Sequence, residues 1–150
     1  MRDIQYKTHS AKETQRIGSK TAGKILLQPL GDQAVVLTLQ GELGAGKTTF
    51  TQGFAAGIGV KEVVLSPSFL IIKSYSVPPT LRVLYHIDCY RLKTAQDLFD
   101  LGWEEIVQNP CNIVLVEWPE RVPELLRFAK IEIVLQIKSR EKRELSIYNP

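Results

Sequence analysis

The run Gly41-Glu42-Leu43-Gly44-Ala45-Gly46-Lys47-Thr48 has the spacing G-x-x-x-x-G-K-[ST], and its residue types suit a chain of phosphates. Glycines let successive backbone N–H groups turn inward around phosphate oxygens without Cβ clashes. Lys47 supplies a mobile positive charge for the β- and γ-phosphates, and the Thr48 hydroxyl is a natural ligand for Mg²⁺. A helix starting at this point aims the positive end of its dipole at the anion. Gly41, Leu43, Gly44, Ala45, Gly46, Lys47, Thr48 and Thr49 are therefore the candidate nucleotide-binding residues of this segment. ATP with Mg²⁺ is the expected ligand. No Asn-Lys-x-Asp element is present to favour a guanine base.

A loop of this kind needs carboxylates facing the metal and the attacking water. Ile113-Val114-Leu115-Val116 is an apolar run ending in Glu117, and in a parallel sheet that carboxylate emerges at the carboxyl edge, where open α/β sheets bind ligands. The plainer alternative is a surface glutamate closing a strand. Asp88 closes Arg82–Asp88 in the same way. Strand alternation puts His86 and Asp88 on one face, with Val83, Tyr85 and Ile87 on the other. Asp88 is the candidate for orienting water or acting as general base, and with Lys47 it makes up the catalytic pair. His86 could serve the site or could be a hydrogen-bonded core residue. Ser66-Pro67-Ser68 places two hydroxyls before a strand, as γ-phosphate-sensing switch segments do, although a simple turn reads the same.

These residues need a scaffold. Residues 3–7 suit a short edge strand, and Ser10-Ala11-Lys12-Glu13 fits a capping box opening a helix that runs to about Leu27. Val35–Leu39 is apolar and β-branched, as a buried strand should be. Phe50, Phe54 and Ile58 then mark one face of a helix, with Gly57 and Gly59 as its terminators. Strands are expected at Phe69–Tyr75, Arg82–Asp88 and Ile113–Glu117, with a helical stretch over Thr94–Val107 broken near Gly102. Beyond the proline-bounded segment from Pro119 to Pro123, Ile131–Ile137 and Glu144–Tyr148 read as a hairpin around the basic turn Lys138–Arg143. The pattern predicts a single α/β domain over residues 1–150, a P-loop NTPase-like mixed sheet flanked by helices.

Composition narrows the function classes. The 150 residues suffice for one well-buried core. No run approaches the ~18 apolar residues of a membrane span, so no membrane role is expected. The N-terminus lacks the apolar core of a secretory signal. Cys89 and Cys111 stand apart with no Cys-x-x-Cys pair, as buried thiols of a reducing, cytoplasmic protein would. A net charge of +3 does not by itself argue nucleic-acid binding. The basic turn and the acidic set Asp97, Asp100, Glu104 and Glu105 are candidate contact surfaces.

Taken together, the loop Gly41–Thr49, the segments Ser66-Pro67-Ser68-Phe69 and His86-Ile87-Asp88-Cys89-Tyr90-Arg91, and Glu117-Trp118-Pro119-Glu120 resemble the TsaE (also YjeE) family. That family comprises bacterial P-loop ATPases of threonylcarbamoyladenosine synthesis on tRNA. The resemblance spans essentially the whole chain. It implies that Thr48 and Glu117 hold Mg²⁺, that the loop grips ATP and that Asp88 supports hydrolysis. It further implies that Ala11 and Lys142 lie beside the adenosine and that Trp118 packs near the switch segment. TsaB and TsaD are the implied partners, with ATP turnover resetting the tRNA-modifying enzyme and tRNA itself reached indirectly. The family usually has Ser-Pro-Thr where this chain has Ser68. Two other readings remain. A small-molecule kinase needs an arginine-bearing lid, for which only Arg121 and Arg127 are candidates. An RNA-binding module using the basic tail predicts steep salt dependence.

Overall fold

Local chemistry decides where each element begins and ends, in a computed structural model that describes residues 3–67 and 69–149. Strand β1 (Ile4–Thr8) leads into helix α1 (Ala11–Leu26), where the Ser10 hydroxyl accepts from the Glu13 N–H at 3.1 Å. The reciprocal arm of the expected box reaches one residue further. The Glu13 carboxylate accepts from the His9 N–H at 2.6 Å instead of from Ser10. Strand β2 (Val35–Gln40) feeds the glycine-rich loop, and helix α2 (Lys47–Ile58) follows it and is capped by Gly59. Gly57 does not terminate this helix. It lies inside it, where a Cβ would come within 2.7 Å of Ser19 Cα, and a Cβ on Gly53 would collide with the backbone of Gln15. These glycines serve close packing of α1 on α2, not termination.

Strand β3 (Ile72–Ser76) begins later than its apolar sequence suggests. The Pro67 carbonyl accepts from the N–H groups of Leu70 (2.8 Å) and Ile71 (3.0 Å), and Ile71 has φ 63°, so residues 69–71 turn before pairing begins. Strand β4 (Val83–Asp88) is followed by helices α3 (Ala95–Phe99) and α4 (Trp103–Gln108), divided at Gly102 as expected. Strand β5 (Asn112–Glu117) leads through two 3-10 turns, Pro119–Arg121 and Pro123–Phe128, to strands β6 (Ala129–Ile137) and β7 (Arg143–Tyr148).

The sheet order is β1-β7-β6-β2-β5-β4-β3. β6, β2, β5 and β4 run parallel, while β7, β1 and β3 pair antiparallel at the margins. The mixed α/β sheet is the expected one. Its register positions the site, because Glu117 pairs with Leu39 on one side and Asp88 on the other. The carboxyl ends of three parallel strands thus finish at one level, beside the loop that leaves β2. One core lies under α1 and α2 and includes Leu37, Leu39, Phe50, Phe54, Leu84 and Leu115. The other, against α3 and α4, includes Val36, Ile87, Val114, Leu98 and Trp103. No helix among the described residues is long and apolar enough to cross a membrane. Cys89 is buried as expected, whereas Cys111 is only half-buried because it sits in the turn entering β5.

Candidate functional site

The loop between β2 and α2 is shaped by close backbone contacts. Gly46 precedes the helix at φ 103°, a conformation that a Cβ penalises, and Gly44 is also left-handed at φ 81°. A Cβ on Gly41 would come within 2.8 Å of the Leu135 carbonyl oxygen, so the loop leaves β2 pressed against β6. No side chain caps the start of α2, and its first N–H groups have no partner within the helix. They form a concave, electropositive donor set at the strand ends.

Lys47 enters this cradle from the first turn of α2 and is almost fully buried. Its ammonium donates to the carbonyls of Gly41 at 2.6 Å and Glu42 at 3.0 Å, and lies 4.2 Å from the centroid of the Trp118 ring. Burial lowers its pKa from the usual lysine value, while Glu117, Glu120 and Asp88 oppose that shift. Trp118 reaches this position with a left-handed backbone (φ 57°) immediately after β5. That conformation is strained for a non-glycine residue and directs the indole back over the loop. The indole also meets Tyr90, tilted, at 5.0 Å between ring centroids, and Arg121 lies 5.0 Å from the Tyr90 ring.

Glu117 is the junction of the site. It is 3% exposed, and its Oε1 accepts from the Thr48 hydroxyl at 3.3 Å and from His86 Nε2 at 2.9 Å. His86 is fully buried, so its hydrogen-bonded location combines both roles weighed for it: it is a core residue whose polar end touches the site. Its Nδ1 has no hydrogen-bond partner among the described residues. Asp88 stands on the same face of β4 but is half-buried. Its carboxylate accepts from the Ser66 hydroxyl at 3.2 Å and from the Tyr90 N–H at 2.9 Å, which ties the Ser66-Pro67 segment to the end of β4. Ser68 lies outside the described residues.

Two clefts flank the loop. One, of about 390 Å³, is lined by Ala11, Thr14, Gly44, Gly46 and Thr49 together with Arg140, Glu141 and Arg143 of the β6–β7 turn. Ala11 and Thr49 thus come together with the loop. Lys142 does not line this cleft; it faces a neighbouring one with Lys7, Lys138 and Arg143. The other flank, of about 650 Å³, includes Leu43, Trp118, Glu120 and Gln136. Arg143 was not singled out by sequence reasoning. Its guanidinium donates to the Gly44 carbonyl at 3.2 Å and to three carbonyls of its own turn, so it fastens that turn to the loop. The one available signal was the density of basic residues in the turn, which gives no hint of the target.

The arrangement can bind a polyanion through backbone N–H groups and an ammonium, and it offers a hydroxyl–carboxylate pair to a divalent cation. Among the described residues no cluster of three or more metal-ligating His, Cys, Asp or Glu side chains exists. A hard, small cation such as Mg²⁺ needs none, since it is typically held by one or two carboxylates plus phosphate and water oxygens. The Thr48–Glu117 pair fits that donor set.

Known proteins resemble the chain in sequence and in fold. The family model described as "Threonylcarbamoyl adenosine biosynthesis protein TsaE" matches residues 8–145. The chain is similar to the tRNA threonylcarbamoyladenosine biosynthesis protein TsaE of Bacillus subtilis, at 39% identity over 146 residues, covering 97% of this chain and 85% of that protein. A protein of the same name from Treponema pallidum is 36% identical over 140 residues, covering 93% of this chain and 96% of its own. The crystal structure of Bacillus subtilis YdiB superposes with a TM-score of 0.69 at 31% identity, over 99% of this chain and 86% of that one.

Proposed function

The chain belongs to the TsaE family of threonylcarbamoyl adenosine biosynthesis, and from that premise we propose that it is a Mg²⁺-dependent ATPase driving repeated turnover of a TsaB–TsaD complex that modifies tRNA. One observation carries the reading. Glu117 meets Thr48 and His86 at the start of α2, which no side chain caps, with the nearly buried Lys47 ammonium held against the carbonyls of Gly41 and Glu42.

In this reading the loop amides and Lys47 hold the phosphates of ATP, and Ala11 and the β6–β7 turn, including Lys142, flank the nucleoside. Thr48 and Glu117 hold Mg²⁺, which when bound neutralises charge on the phosphate oxygens. His86 keeps the Glu117 carboxylate turned toward Thr48. Asp88 orients a water and accepts its proton as the new P–O bond forms and the bond to the leaving ADP oxygen breaks. Its tie to Ser66 links that step to the exposed segment beyond. ATP hydrolysis needs no second small-molecule acceptor, so in this reading the nucleotide's effect passes to partner subunits. The setting is the cytoplasm, with tRNA chemistry done by those partners.

The test compares ATP turnover by the isolated chain, by the chain with TsaB and TsaD, and by Lys47→Ala in the same mixture. Slow turnover alone, marked stimulation in the mixture and loss of multiple tRNA-modification rounds with Lys47→Ala are expected. Glu117→Gln should raise the Mg²⁺ needed for half-maximal ATP binding about tenfold, while Asp88→Asn should lower turnover with little change in binding. Fast turnover by the isolated chain, unchanged by the other subunits, would overturn the partner-dependent reading.

A further inference from the structure

Helix α1 carries Lys12, Arg16, Lys20 and Lys24 at successive four-residue steps, all exposed. Four residues advance an α-helix by about 6 Å with a small rotation, so these cations form a slowly winding row roughly 18 Å long. The opposite face of α1, with Thr14, Gly18, Thr21, Ala22 and Ile25, is buried. Among the described residues none of the four cations forms an ion pair, and Lys20 instead lies 5.5 Å from the Tyr6 ring centroid.

All of the row but Lys24, which lies in the last turn where the dipole favours a cation, works against the helix that bears it. Like charges at four-residue spacing repel, and Lys12 sits at the end where the helix dipole already favours negative charge. With Glu13 as its sole acidic residue, α1 carries a formal charge of +3, equal to that of the whole chain. The rest of the molecule is therefore balanced. At the N-terminal end of the row, His9 and Ala11 share a cleft with Arg140 and Arg143, and Lys7, Lys138 and Lys142 line the next. The cations thus continue from the helix onto the hairpin turn, where Glu141 and Glu144 are interspersed with them and Lys138 pairs with Glu144 at 3.8 Å.

We propose that the outer face of α1 is a landing surface for the phosphodiester backbone of RNA. A regular row of cations suits a polymer with regularly spaced charges, and contacts of this kind hold a duplex without reading its sequence. An anionic lipid surface fits less well, because a helix lying in a membrane interface needs an apolar face toward the lipid, and Ala22 and Ile25 of α1 are buried, which leaves Leu26 at its C-terminal end as the one exposed large apolar side chain of this helix. The inference goes beyond the function proposed above, in which tRNA is reached through partners. It also stands apart from the nucleotide site, since Arg16, Lys20 and Lys24 line neither cleft beside the loop.

The experiment is fluorescence anisotropy of a labelled, unmodified tRNA transcript titrated with the full chain over a range of KCl concentrations. Four phosphate contacts predict a log–log salt slope of about −3. The triple variant Arg16→Glu, Lys20→Glu, Lys24→Glu should weaken binding at least about tenfold and flatten that slope, with ATP-analogue affinity unchanged in the same samples. The milder Arg16→Gln, Lys20→Gln, Lys24→Gln variant should show the same direction if charge reversal impairs folding, and Arg16→Lys, Lys20→Arg, Lys24→Arg should bind as the parent does. Lys47→Ala should lose nucleotide but keep RNA, which separates failure of the two readings. Absence of tRNA binding at low salt would overturn the proposal. So would equal binding by the triple variants, or binding only to phosphatidylserine vesicles.

Discussion

The two faces of the sheet arise from the same strand alternation, yet they bury different chemistry. Beneath α1 and α2 the apolar side chains Leu37, Leu39, Phe50 and Phe54 surround Lys47, Thr51, His86 and Glu117. Beneath α3 and α4 the buried set runs through Val36, Ile87, Val114 and Val116 to Leu98, Trp103, Ile106 and Val107, with the Cys89 thiol as its one ionisable member among the described residues. The helices differ too. α1 and α2 approach through glycines until backbone meets backbone, whereas the short helices opposite fill their space with bulk such as Trp103, edge-on to Phe128 at 5.6 Å. A buried charge is costly unless its partners are held in place, and the rigid helix pair supplies that constraint. The comparison predicts that damage to one face removes function before stability, and damage to the other removes stability before function.

The largest effect should come from the apolar face. Trp103 is fully buried, and Trp103→Ala should lower stability by about 3–5 kcal/mol, read from denaturant unfolding. The fraction that stays folded should bind an ATP analogue as the parent does. A loss of affinity in the folded fraction would break the comparison. Lys47→Ala is the mirror experiment. It should weaken nucleotide binding at least about 100-fold, roughly 2.7 kcal/mol, and leave the melting curve close to that of the parent. Unfolding of this variant would show that the buried ammonium is structural.

How much of this division could be read from the chain depended on whether the signal was local. The loop, its lysine and the two strand-end carboxylates were legible, because their chemistry is written in consecutive residues and in strand period. The register that sets Asp88 opposite Glu117 was not legible, because it depends on β4 and β5 being neighbours in the sheet. The late start of β3 was not legible, since an apolar run hides the hydrogen bonds to Pro67 that turn residues 69–71 away. Gly57 was misread as a terminator because close helix contact and helix ends call for the same residue type, and only the position of Ser19 tells them apart. The reach of Arg143 to Gly44 spans 99 positions and has no sequence signature.

Gly53 couples the two halves of the comparison at smaller magnitude. A methyl group there meets the Gln15 backbone and cannot be relieved by a side-chain rotation. Gly53→Ala should cost about 1–3 kcal/mol and push α2 away from α1. Because Lys47 and Thr48 open α2, nucleotide affinity should fall together with stability. Isothermal titration alongside thermal melting checks both, and a pure stability loss would mean that the helix pair does not transmit its position to the loop.

The smallest effect concerns adjacent residues on opposite faces, Asp88 and Cys89. Burial, followed by the negative charges of Asp88 and Glu120, pushes the Cys89 thiol from its ordinary 9.0 up to about 12. In the unfolded chain the thiol ionises near its ordinary value, so above that pH the unfolded state has lost a proton that the folded state retains. Stability is therefore unaffected by this group at lower pH and declines as pH rises toward about 12. Between roughly pH 9 and pH 10 the decline should be about 1 kcal/mol, and Cys89→Ala should remove that part of the slope. Thiolate-selective alkylation of the folded protein near neutral pH should label the half-buried Cys111 and spare Cys89 until denaturant is added. Rapid labelling of Cys89 in the folded state would mean that the apolar face opens as readily as the site it supports, and the distinction between the faces would fail.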